Sequence, residues 1–198
     1  MDLVNKEIGF AITGSYCTFD QVILQIRALK DLGAQIHPIV SENVSKTDTR
    51  FMKAEDLYEK LMCITGREII DSIIKAEPIG PNSLFDFLIV APCTGNTASK
   101  IALGITDTTV VMAVKAHLRN QKPVLLAIAT NDALGACAKN IGTLMNTQSI
   151  FFVPMSQDNY VKKAASMIAE MDLIPKAAML ALHGKQIQPI YYKPKEVF

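Results

Sequence analysis

Residues 91–107, Ala-Pro-Cys-Thr-Gly-Asn-Thr-Ala-Ser-Lys-Ile-Ala-Leu-Gly-Ile-Thr-Asp, crowd small, hydroxylic and amide side chains into one short stretch. Thr94, Asn96 and Thr97 can donate hydrogen bonds there, and small neighbours let a flat ring lie against the backbone. Asn96 and Lys100 are candidates for a direct part in chemistry, with Asn131 a further polar candidate along the chain. For Cys93, in the same stretch, a small packing residue is a stronger reading than a nucleophile. A second group, Thr13-Gly14-Ser15-Tyr16-Cys17-Thr18, follows an apolar run and opens an amphipathic one. Gly14 permits close approach of a ligand, Ser15 and Thr18 carry hydroxyls, and a helix amino terminus aims N–H groups and its positive dipole end at the same place. That arrangement suits a phosphate; the competing reading is an ordinary strand-to-helix turn with Thr18 as its cap. The full G-x-G-x-x-G dinucleotide fingerprint is absent, which favours a mononucleotide. Ser41, after another apolar run, is open to the same two readings, ligand contact or plain turn.

The elements that must position these residues alternate short apolar runs with longer amphipathic ones, as in repeated β-α units around a parallel sheet. Strands are expected at 8–13, 35–40, 85–90, 124–128 and 150–153. Thr18 and Gln21 stand at capping-box spacing and open a helix that runs to Leu32, with Gly33 as its stop. Further helices are expected over 55–75, interrupted near Gly66, and over 96–103, 110–118 and 133–145. The last third reads as helical over 159–182, broken near Pro175 and followed by an irregular tail. The fold class is α/β: a doubly wound parallel sheet, flavodoxin-like, in three layers. Residues 1–198 form one domain, with a core over 7–155 and carboxyl-terminal helices and tail over 156–198. In such a fold Gly14, Ser15 and Ser41 open onto one crevice at the carboxyl ends of the strands.

Composition narrows the function classes. The 198 residues are 49% hydrophobic, enough for a full core, and 20 basic residues oppose 19 acidic ones without blocks of either sign. Nucleic acid and anionic membranes, which call for clustered Lys and Arg, are therefore not expected partners. Mean hydropathy is +0.22, but the longest apolar runs fall far short of the ~20 residues that span a bilayer. The amino terminus shows no basic region followed by an apolar stretch, so no signal peptide is visible. Four isolated cysteines, with no Cys-x-x-Cys pair and no His at ligand spacing, argue for free thiols, a cytoplasmic location and no metal. Lys115, His117 and Arg119 could bind a carboxylate, though a solvated helix end complementing the dipole is the stronger reading.

Pro92 to Thr97 follow the pattern Pro-x-Ser/Thr-x-Asn-Thr, then a helix bearing Lys, Ala and Gly and a terminal Asp. This resembles the flavin loop of the homo-oligomeric flavin-containing cysteine decarboxylase superfamily, which includes phosphopantothenoylcysteine decarboxylase and the peptidyl-cysteine decarboxylases. Thr13-Gly14-Ser15 and Ser41 match that superfamily's phosphate positions, and the resemblance spans roughly residues 7–155. It implies FMN, with Gly14, Ser15, Thr18 and Ser41 at the phosphate and Cys93, Thr94, Asn96 and Thr97 at the ring system. It also implies a homo-oligomer, trimer-based.

Two departures change the expected activity. The decarboxylases carry a catalytic His after the second strand, whereas residues 41–63 contain none and His37 lies inside the expected strand. Their Pro-x-Met-Asn-x-x-Met motif is reduced here to Asn131. The segments TGSYCTFDQV, APCTGNTASKIALGITD and ATNDALGACAKNIGTLMN are instead similar to one branch of the superfamily, over essentially the whole chain. That branch implies an oxidoreductase subunit of spore-forming bacteria. Together with a second, nucleotide-binding subunit it aromatises a small dihydropyridine dicarboxylate. The alternatives are an FMN-dependent decarboxylase and a non-catalytic, nucleotide-binding partner of another enzyme chain.

Overall fold

In the computed structural model, which describes residues 3–193, the chain runs in strands and helices that alternate along most of its length. The order is β1 (Glu7–Ile12), α1 (Phe19–Asp31), β2 (Gln35–Val40), α2 (Glu42–Lys46), α3 (Ala54–Thr65), α4 (Ile73–Ala76), β3 (Phe87–Cys93), α5 (Gly95–Ala102), α6 (Thr109–Leu118), β4 (Val124–Thr130), α7 (Ala138–Met145), β5 (Ile150–Phe152), β6 (Met155–Ser156), β7 (Met167–Ala169) and α8 (Ile174–Leu182). Residues 194–198 of the expected tail lie outside the described residues.

The sheet order is β2-β1-β3-β4-β7-β6, with β5 also on β4. Pairing is parallel among β1 to β5, whereas β7 runs antiparallel to β4 and β6 antiparallel to β7. The parallel part has the flavodoxin-like order, in which chain direction switches between β1 and β3 and opens a crevice at their carboxyl ends. Strand side chains alternate between two cores. Ile8, Phe10 and Ile12 of β1, with Phe87, Ile89 and Ala91 of β3, pack toward α1, α3 and α8. Leu88 and Val90 pack on the other face with Val110, Ala113 and Val114 of α6 and Ile141 and Leu144 of α7. Each large side chain so buried contributes about 1.5–3 kcal/mol. Gly9 of β1 is small for a steric reason: a Cβ there would stand 2.6 Å from the Phe85 ring.

Several expectations about elements need correction. The helix expected over 55–75 is interrupted at Gly66 as read, where the left-handed glycine (φ +66) returns its N–H to Met62 O, but helix resumes only at Ile73. The helix expected from 133 starts at Ala138, because 131–137 form turns held by Asp132, whose Oδ1 accepts the Ala136 N–H. The stretch 159–173 is not helical: it holds turns, β7 and a 3₁₀ turn, so the parallel sheet gains a short antiparallel margin. Pro175 starts α8 instead of breaking a helix, since the first turn needs no N–H from it. The Thr18 capping box does not form; its Oγ1 donates to Ser15 O at 2.8 Å, and no side-chain cap bond reaches α1. No helix among the described residues is long and apolar enough to cross a membrane.

Candidate functional site

The crevice at the β1/β3 switch is organised by one hydroxyl. Thr13, buried at the end of β1, donates to Pro92 O at 2.7 Å and accepts the Thr94 N–H at 3.0 Å. The turn after β1 is thereby pinned to the loop after β3. Thr94 then caps α5: its Oγ1 accepts the Thr97 N–H at 3.3 Å and lies 3.0 Å from the Thr97 hydroxyl. This is the residue pattern read from the sequence, and it leaves Asn96 exposed on the first turn of α5. Gly95 sits against β4, where a Cβ would stand 2.6 Å from Thr130 Oγ1. Below it, Cys137 donates weakly to Gly95 O, and Asn140 holds Ser99 at 2.8 Å.

Two hollows lie along this crest. The inner one, about 450 Å³, is lined by Thr13, Ser41, Glu42, Thr97, Lys100 and Asp107 among others. The outer one, about 560 Å³, is lined by Ser15, Arg50, Phe51, Asn131, Lys163 and Ser166 among others. They share Gly14, Tyr16, Thr94 and Asn96 as a common wall, so Ser15 and Ser41 approach that wall from opposite sides. Both volumes fall in the ~300–1,000 Å³ range usual for small-molecule sites.

Their electrostatics differ. In the inner hollow Lys100 bonds both Asp107 oxygens, at 2.8 and 2.9 Å, and its hydrogen bond holds that carboxyl below the usual range. Glu42 Oε1 accepts both the N–H and the hydroxyl of Thr109 at 2.8 Å, while its Oε2 is buried with no hydrogen-bond partner among the described residues. The outer hollow carries two cations against one acid. Lys163 pairs with Asp158 at 3.1 Å, and the Arg50 guanidinium lies 4.8 Å over the Phe51 ring. Burial alone would raise the Asp158 carboxyl, but the neighbouring Ser166 hydroxyl and the bonded Lys163 ammonium outweigh it and hold the group low.

Of the residues nominated from sequence, Gly14, Ser15, Ser41, Thr94, Asn96, Thr97, Lys100 and Asn131 all line one hollow or both. Thr18 and Cys93 line neither. Thr18 is 1% exposed with its hydroxyl turned to Ser15 O, which is the plain-turn reading. Cys93 is wholly buried, and burial pushes its thiol up, so it is a packing residue. Lys115 and Arg119 flank a separate apolar groove of about 410 Å³ with Ile101, Ile105 and Leu118. His117 is not a free cation at all: it is buried beside Pro123 O at 3.1 Å, and burial pushes its imidazole down to about 4. Sequence reasoning missed Tyr16, Arg50, Phe51 and Lys163. Only the isolated Arg50-Phe51 pair after Ser41 could have signalled them.

The chain is 48% identical over 188 residues to the B subunit of dipicolinate synthase of Bacillus subtilis (strain 168), covering 95% of this chain and 94% of that protein. The crystal structure of the same B subunit from Bacillus halodurans superposes with a TM-score of 0.90 at 43% identity, over 98% of this chain and 100% of that one. Burkholderia xenovorans DmrB in complex with FMN shares the fold at TM-score 0.63 and 15% identity, over 75% and 88% of the two chains. A family model described as Flavoprotein matches residues 1–179, and the chain belongs to the Flavoprotein family.

Proposed function

We propose that this protein is the FMN-holding subunit of a dipicolinate synthase, acting in the cytoplasm during sporulation. Together with the A subunit of dipicolinate synthase it would oxidise dihydrodipicolinate to pyridine-2,6-dicarboxylate. The observation that carries this reading is the crest of neutral donors at the β1/β3 switch, in a chain alike from end to end to the B subunit of that synthase.

The donor set fits FMN. Gly14, Ser15 and Ser41 offer an uncrowded backbone and two hydroxyls for the phosphate, and a Cβ at Gly14 would meet only the Tyr16 ring, at 3.5 Å. Asn96 presents its amide at the amino end of α5, where the mutually bonded Thr94 and Thr97 hydroxyls border the same space and the helix dipole favours electron-rich oxygen. Glu42 Oε2 lacks a donor, and a ribityl hydroxyl is of the kind that would complete it. When bound, FMN supplies two-electron acceptance: the substrate gives up a hydride and a proton, and its ring becomes aromatic. Gly14, Ser15 and Ser41 would hold its phosphate, with Asn96 beside its ring system.

A decarboxylase reading is weaker. No His stands between Ser41 and Cys63, and His37, on β2, is bonded to Glu7. Assembly as a trimer-based homo-oligomer belongs to the same proposal; exposed Leu103 and Ile105 beside the apolar groove support it. Light scattering at micromolar concentration tests it, a monomer being the contrary result. The function itself is tested by dipicolinate assays with separately purified subunits, following the product's ultraviolet absorbance. Synthesis with both subunits and none with either alone is expected; full synthesis by the A subunit without this chain contradicts it.

A further inference from the structure

The outer hollow holds more than a cofactor edge needs. Its far wall, away from the shared Gly14–Asn96 side, consists of the 50–51 loop and residues 158–168. Among the described residues Arg50 makes no ion pair, whereas Lys163 is already engaged by Asp158 and Lys100 by Asp107. A guanidinium without a carboxylate at the mouth of a hollow offers a planar fork of donors suited to a carboxylate. Phe51 is 50% exposed and lines the same hollow, with the Arg50 guanidinium over one face of its ring. Arginine and an aromatic face together recognise a flat, anionic ring. Because Asn96 and Gly14 belong to both hollows, a ring bound here adjoins the proposed flavin position.

We propose that the outer hollow is the subsite for a planar dicarboxylate, in which Arg50 grips one carboxylate, Phe51 supports the ring and Lys163 attracts the second carboxylate. This deepens the function proposed above and rests on it. Arg50 is then the specificity-determining residue, and the Lys163–Asp158 pair is the adjustable one, since its ammonium can turn between two carboxylates. Inorganic phosphate, which carries charge without a ring, should bind more weakly than pyridine-2,6-dicarboxylate, and pyridine, a ring without charge, more weakly still.

The test is calorimetric titration of the purified, FMN-supplemented protein with pyridine-2,6-dicarboxylate, phosphate and pyridine. Arg50→Gln should weaken dicarboxylate binding about 10- to 100-fold, the loss of one charge-assisted hydrogen-bonded pair, and Lys163→Gln only a few-fold. FMN affinity should stay unchanged in both, as should dicarboxylate affinity in the off-site control Arg119→Gln. In the assay with both subunits Arg50→Gln should raise KM with little change in kcat. Wild-type affinity and KM in Arg50→Gln would overturn the subsite, as would equal binding of phosphate or no dicarboxylate binding by the wild-type protein. Failure of the wild-type pair to form dipicolinate would instead strike the function, so the two failures read differently.

Discussion

Thr13 and Thr94, 81 residues apart, share one hydroxyl: Thr13 Oγ1 accepts the Thr94 N–H at 3.0 Å while donating to Pro92 O at 2.7 Å. This joins the ends of the two strands between which the sheet changes direction, so the scaffold itself fixes the 92–97 loop. Thr13→Val keeps the shape but removes both bonds and leaves the Thr94 N–H without its acceptor. Such a loss costs about 1–3 kcal/mol. Urea unfolding should register that loss together with weaker FMN binding, and Thr13→Ser should restore most of both. Unchanged stability in Thr13→Val would show that the hydroxyl does not organise the crest.

Gly14 separates site from scaffold more cleanly. The nearest atoms to a Cβ there belong to the Tyr16 ring at 3.5 Å, an ordinary contact. Gly14→Val should therefore leave urea stability within about 1 kcal/mol of wild type. Gly14 borders both hollows, so FMN affinity by fluorescence titration should fall at least tenfold. Undiminished affinity removes Gly14 from the phosphate assignment.

His117 should make the fold acid-sensitive. Burial lowers its imidazole from the ordinary 6.5 to about 4, so the unfolded chain takes up a proton that the folded chain refuses. The sign follows: this contribution to stability is complete above about pH 6.5 and is lost as pH falls toward 4. Its full size is on the order of 3 kcal/mol, from 1.36 kcal/mol per pKa unit. His117→Gln, although less stable at pH 7, should lose correspondingly less stability than wild type between pH 7 and pH 4.5 in urea titrations. Parallel pH profiles would show that other groups govern the acid limb.

Reaction class offers a fourth test. A positioned acid–base group contributes about 10²–10⁴-fold to catalysis. With no His over residues 41–63 and only Asn131 left of the decarboxylase motif, cysteine-terminal peptides and pantothenoylcysteine should not be turned over. Carbon dioxide release above background from either would reverse the assignment to an oxidoreductase.

How far the sequence carried these conclusions depends on where each feature gets its energy. β1, β3 and β4 are apolar runs buried on both faces, so their composition alone marks them. Gly14, Ser41 and Asn96 were legible because strand ends in a doubly wound sheet converge on one crevice. β7 was not: Met167–Ala169 lies in a run with helical spacing and becomes a strand only by pairing with the distant end of β4. Arg50 and Lys163 were missed for the same reason, since tertiary packing brings them to the far wall of the outer hollow. Among the cations, geometry placed Lys100 in an ion pair at the inner hollow and Lys115 and Arg119 beside another groove, which residue type alone could not distinguish.

The antiparallel margin of the sheet has a consequence for motion. β4 is held by β3 along most of its length and by β5 over Val124–Leu126, but β7 grips it only at Ala129 and Thr130. Residues 158–166 are attached through a few further bonds, among them Leu134 N–H to Ala165 O and Gln157 Nε2 to Ala164 O. Sub-global opening draws on the elements with the fewest such ties. Amide exchange should therefore be fast across 158–166 and slow across β1, β3 and β4. The wall carrying Lys163 and Ser166 should then open more readily than the turns that follow β1 and β3.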